Sequence, residues 1–135
     1  MKVRNVCLDF DSVISSYDQG WEGPRTINSQ PVACAIIWIE NFIMTHCTCP
    51  DSICAMSPKG KYRLMIYSSR SKHFGGRRAM KRWLAKHGLD PRYLEVIKFP
   101  LMKPAAFVTL DDRCIRFNGN YKGLTEKIVN YKSWV

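Results

Sequence analysis

The succession of apolar and polar segments predicts an α/β protein, a three-layer, doubly wound, Rossmann-like parallel sheet of about five strands with no large cap domain. Two observations carry this expectation. Three apolar runs, Val6-Cys7-Leu8, Leu64-Met65-Ile66-Tyr67 and Phe107-Val108-Thr109-Leu110, read as buried strands, and each stops at a polar cluster. Between them lie stretches with helical spacing, and strands that alternate with helices pair in parallel. A length of 135 residues, 46% of them hydrophobic, fits a single domain with its own core.

Residues 3–8 form the first expected strand. Residues 12–30 hold Gly20, Gly23 and Pro24 among polar neighbours and read as a loop or flap. Pro31 suits the first turn of a helix running to about residue 45, with Asn28 or Ser29 nearby as cap. Its apolar residues, among them Ile36, Ile37, Trp38, Ile39 and Phe42, go nearly all the way round. Such a helix is covered on two sides or by a second subunit, so a monomer and a homodimer both stay open. Residues 46–60, with three cysteines and two prolines, read as an irregular insert. A second strand is expected at 62–67. A helix follows from Gly75-Gly76 to His87, stopped by Gly88, with Ala79, Met80, Trp83 and Leu84 as its apolar stripe. Glu95–Phe99, Ala106–Leu110 and Cys114–Phe117 read as further strands, and Gly123–Tyr131 as a helical tail.

The formal charge is +10, and Arg70, Lys72, Arg77, Arg78, Lys81, Arg82 and Lys86 crowd one segment. Either this is a solubilising face, or it is a field that collects polyanions such as nucleic acid, or small phosphorylated compounds. The start, Met1-Lys2-Val3-Arg4, has no signal-peptide pattern, and no apolar run reaches about eighteen residues. A cytoplasmic protein without a membrane segment is expected, and a disulfide framework is not. His46, Cys47, Cys49 and Cys54 offer four zinc-type ligands, but their spacing matches no common zinc site.

The polar clusters at the strand ends carry the chemistry. Asp9 and Asp11 flank Phe10, so a turn between them lets Asp9 act as nucleophile and Asp11 as general acid and base. Two carboxylates facing a phosphate repel it, which calls for a hard cation, Mg²⁺, with Asp111 and Asp112 as further ligands. Lys103 supplies a fixed positive charge. The Ser68 hydroxyl, with Ser69, Arg70 and nearby backbone N–H groups, can hold phosphoryl oxygens.

These four clusters, in this order, resemble the haloacid dehalogenase superfamily of phosphohydrolases. There an apolar strand leads into D-x-D, a Ser or Thr follows a later strand, a Lys comes next, and an acidic pair closes the set. Val6–Val13 matches the first motif, with Ser12 where glycine is usual. Ser68, Lys103 and Asp111-Asp112 match the rest. The resemblance implies that Asp9 becomes phosphorylated and that Asp11 is the acid/base. It also implies that Mg²⁺ is held by Asp9, the Asp11 backbone carbonyl and Asp111, with Asp112 as ligand or supporting group. Ser68-Ser69-Arg70 and Asp111-Asp112-Arg113 look most like small uncapped phage-type members, including the phosphatase domain of polynucleotide kinases. An open site of that kind suits a nucleotide or a nucleic-acid 3′-phosphate. Alternatives are a small-metabolite phosphatase or phosphotransferase, and a basic nucleic-acid-binding module without turnover. Tyr17 and Trp21 on the flap either stack on a base or pin the flap to the core.

Overall fold

A computed structural model describes residues 3–47 and 61–132. At its centre lies β1 (Arg4–Leu8), paired in parallel with β2 (Tyr62–Ile66) on one side and β3 (Val108–Leu110) on the other. Val6 stands opposite Leu64 and Val108, and Leu8 opposite Ile66 and Leu110. The three strands therefore end level, and the segments after them emerge along one rim. Side chains alternate across a strand, so Val6, Leu8, Leu64 and Ile66 share a face. That face makes the core with Ile39 and Ile43 of α1 (Ala35–His46) and Met80, Trp83 and Leu84 of α2 (Gly76–Lys86). Each such buried aliphatic side chain contributes about 1.5–3 kcal/mol.

α2 forms where the pattern places it. Gly75 precedes it in the left-handed region (φ 79) and Gly88 follows it there (φ 98), conformations that cost a side chain strain. Met80, Trp83 and Leu84 of its apolar stripe are buried, Ala79 is half-buried, and its basic residues are exposed. α1 starts later than expected. Pro31 pairs with Ser15 across an antiparallel bridge, and the Val32 amide donates to the Ile14 carbonyl (2.8 Å). These contacts close the base of the flap and hold residues 31–34 out of the helix. Ile39 and Ile43 are buried, whereas Ile37 and Trp38 face outward, Trp38 stacked on Phe42.

Two expected strands are absent among the described residues, so the sheet has three strands rather than about five. Glu95–Phe99 loses its first half to α3 (Pro91–Val96). The Asp90 side chain accepts from the Arg92 amide as N-cap, and Pro91 occupies the first turn. Only Lys98 reaches the sheet, through a single parallel bridge to Met65 on the far edge of β2. Cys114–Phe117 is loop, with three of its four residues exposed. The tail helix α4 (Leu124–Val129) buries no residue, so the helical layers described are those on the Val6 face. No described helix is long and apolar enough to cross a membrane.

Candidate metal and phosphate site

Backbone hydrogen bonds bring the strand ends together. The Asp9 amide donates to the Leu110 carbonyl (2.9 Å) and the Tyr67 amide to the Leu8 carbonyl (3.0 Å). Asp9 thus leaves β1 between Ser68, which follows β2, and Asp111, which follows β3. One cleft of about 250 Å³ is lined by Asp9, Asp11, Ser68, Ser69, Asp111 and Asp112, with Ser12, Tyr17, Trp21 and Arg113 around it.

Carboxylate oxygens of Asp9, Asp111 and Asp112 lie within 4.8 Å of one another. Burial pushes the Asp9 carboxyl up to about 7; its bond from the Phe10 amide opposes this, and the neighbouring Asp111 and Asp112 add to it. The donor set is all oxygen and all anionic, the chemistry that suits a hard divalent cation. The Asp111 carboxylate accepts from the Arg113 amide (3.0 Å), and Arg113 pairs with Asp112 (3.7 Å). The Tyr131 hydroxyl pins the same loop, donating to the Asp112 carbonyl and accepting from the Cys114 amide. Tyr131 was invisible in the sequence because it lies in a tail that only the fold returns to β3.

Asp11 lines the same cleft but stands apart from the carboxylate cluster, paired with Arg70. Residues 10–15 form a tight turn in which Phe10 carbonyl oxygen accepts from Ile14 and Ser15, and Ser12 takes a left-handed φ of 69. The turn sends the Asp11 carboxylate to Arg70, whose Nε (3.0 Å) and Nη2 (3.1 Å) both donate to it. Nη1 donates to the carbonyls of Gly23 (2.7 Å), Pro24 (3.3 Å) and Thr26 (3.1 Å). Arg70 is 1% exposed, with Trp21 4.7 Å from its guanidinium carbon. Arg70, expected to bind phosphate, is a buried clamp here that joins Asp11 to the flap through all three of its guanidinium nitrogens. Trp83 ties the flap down again, its indole N–H donating to the Ser29 carbonyl (2.9 Å).

Ser68 is buried, its hydroxyl accepting from the Arg70 amide (3.2 Å) while its own amide donates to Ser71 Oγ (3.0 Å). These bonds fix the loop on which Ser69 faces the cleft. Lys103 is exposed on the segment entering β3 and is not among the cleft-lining residues. Burial raises the Cys7 thiol, against an opposing bond from the Tyr67 backbone, and the charges of Asp9, Lys103 and Asp111 add smaller effects. Of the cysteine insert, Cys49 and Cys54 lie outside the described residues. Burial raises the Cys47 thiol to about 11. Trp21 is 48% exposed and lines the cleft, one face against the Arg70 guanidinium.

Comparisons with family models, with curated proteins and with solved structures gave no match.

Proposed function

We propose that this protein is an Mg²⁺-dependent phosphomonoesterase that works through a phosphorylated Asp9, as members of the haloacid dehalogenase superfamily do. The carrying observation is the meeting of Asp9, Asp111 and Asp112 with Ser69 and Asp11 in one cleft at the carboxyl rim of a parallel sheet. Asp9, Asp111 and Asp112 would hold the cation, which when bound neutralises the carboxylates and the phosphoryl oxygens.

An Asp9 oxygen attacks phosphorus and the bond to the leaving oxygen breaks, that oxygen taking a proton from the Asp11 carboxyl. Water then attacks the phosphorus of the acyl phosphate, giving its proton to the Asp11 carboxylate. Phosphate leaves and Asp9 is restored. Arg70 keeps Asp11 in position for both transfers, and Ser68, through its loop, turns Ser69 and neighbouring N–H groups toward the phosphoryl oxygens. Lys103, on a long flexible stem, is the cation that reaches in when phosphate arrives. Among the described residues no cap covers the cleft, and the charge of +10 favours anionic substrates, so a nucleotide or the 3′-phosphate of a nucleic-acid end is the substrate class.

A second reading, a nucleic-acid-binding module without turnover, draws on Lys103 standing outside the cleft lining. Release of phosphate from an aryl phosphate, with and without Mg²⁺, separates the two. Wild-type protein is expected to need Mg²⁺, and Asp9→Asn to lose on the order of 10³-fold or more in kcat. Equal background release from both proteins overturns the enzyme reading. A panel of 3′- and 5′-phosphorylated oligonucleotides, mononucleotides and sugar phosphates then identifies the substrate class.

A further inference from the structure

Phe74 is 92% exposed, on a turn that is tied at both ends. The His73 amide donates to the Arg70 carbonyl (3.1 Å) and the Gly76 amide to the His73 carbonyl (3.0 Å), so the ring is presented by a fixed backbone. A depression lies on each side of it. One, of about 350 Å³, is lined by Arg25, Arg78, Arg82 and Lys86; the other, of about 750 Å³, by Lys72, Arg77, Arg78 and Lys81. Phe74 belongs to both.

The charges form rows. Arg78, Arg82 and Lys86 recur every four residues, about 6 Å apart along the helix, and Arg77 and Lys81 make a second row beside them. Among the described residues no acidic side chain lines either depression, and the sequence has none between Asp51 and Asp90. Ion pairs among the described residues involve Arg70, Arg92 and Arg113, none of them on α2. Arg77 donates to the Phe99 carbonyl (3.2 Å) and Lys81 lies 5.1 Å from the Phe99 ring centre, contacts that hold the two side chains without neutralising them.

A bare aromatic ring between two cationic grooves matches a ligand that alternates phosphates with flat, unstacked bases. A lipid surface would require the apolar face of α2 to point outward, but Met80, Trp83 and Leu84 are in the core. The surface also adjoins the cleft, since Ser69 lines the cleft and Ser71, two residues on, lines the larger groove. We propose that Phe74 and the basic rows of α2 form a track for single-stranded nucleic acid, with Phe74 as the stacking platform. Delivery of a strand end into the Asp9 cleft rests on the phosphatase reading; binding along the track does not.

Fluorescence anisotropy of a labelled short oligothymidylate, with wild-type protein in chelator, tests the track. Phe74→Ala is expected to weaken binding about tenfold and Phe74→Trp to keep it. Phe74→Ala is expected to leave aryl phosphate hydrolysis and the circular dichroism spectrum unchanged. The double variant Arg78→Ala/Arg82→Ala is expected to make the slope of log K against log salt shallower by about 1.4. Unchanged affinity in Phe74→Ala, tighter binding of a duplex of equal length, or binding of anionic vesicles or polyglutamate in place of the oligonucleotide would each overturn the proposal. Oligonucleotide binding without any aryl phosphate hydrolysis would retain the track and sink the phosphatase reading alone.

Discussion

A lysine at position 70 has one ammonium to offer where the guanidinium serves a carboxylate and three backbone carbonyls. The exchange is therefore not conservative, although it keeps the charge. Arg70→Lys is expected to lose about 2–3 kcal/mol of stability, read by urea unfolding, because Asp11 and the flap carbonyls lose their shared donor. On the phosphatase reading the kinetic loss is expected in kcat, since Asp11 would drift from the leaving oxygen while phosphate still binds. A raised KM with unchanged kcat would return Arg70 to the substrate. Nothing near Arg70 in the sequence announces this role, because its partners lie 59 and 47 positions away. Asp9, by contrast, could be picked out directly: it is the first polar residue after an apolar run. The same signal marks Ser68 and Asp111.

Gly76 opens α2 against the backbone of Arg70, and a Cβ there would sit 1.8 Å from the Arg70 carbonyl oxygen. At Gly75 the nearest atom is the flexible Cδ of Arg25, at 2.7 Å, and the cost is mainly that of φ 79. Gly75→Ala is thus expected to cost about 1 kcal/mol. Gly76→Ala is expected to cost about 3 kcal/mol or more and, on the phosphatase reading, to lower activity by shifting the Ser68–Arg70 loop. Thermal denaturation of both variants checks the ranking, and equal losses would contradict it. The glycine pair marked the start of α2 in the sequence, but only the packing separates their two roles. The misread strand at Glu95–Phe99 has a similar lesson. Its Val96-Ile97 pair and Phe99 favour a strand, yet Asp90-Pro91 caps a helix just upstream, and a local cap outweighs intrinsic strand preference at a sheet edge.

For the molecule as a whole, the three clustered carboxylates set a pH dependence. The Asp9 carboxyl titrates near 7 when folded and near 3.8 when unfolded, so the native state binds more protons between those values. Without metal, stability should therefore fall as pH rises from 4 to 8, with no contribution from this group below 4. Asp9→Asn removes that loss and is expected to raise Tm by a few degrees at pH 8 in chelator, and to leave it unchanged at pH 4. Added Mg²⁺ should stabilise wild-type protein more at pH 8 than at pH 5, because cation and proton compete for the same oxygens. A variant no more stable than wild type at pH 8 would contradict the crowding of these groups. The parallel arrangement was legible because buried strands are continuous apolar runs. The number of strands was not, because short exposed segments such as Cys114–Phe117 resemble edges until pairing decides. Parallel pairing also joins distant chain segments: Asp9 meets Asp111 only after some hundred residues have intervened. A nascent polypeptide on the ribosome would therefore carry Asp9 long before the two carboxylates that complete its cluster, and a single cut anywhere between them would leave neither fragment with the full set.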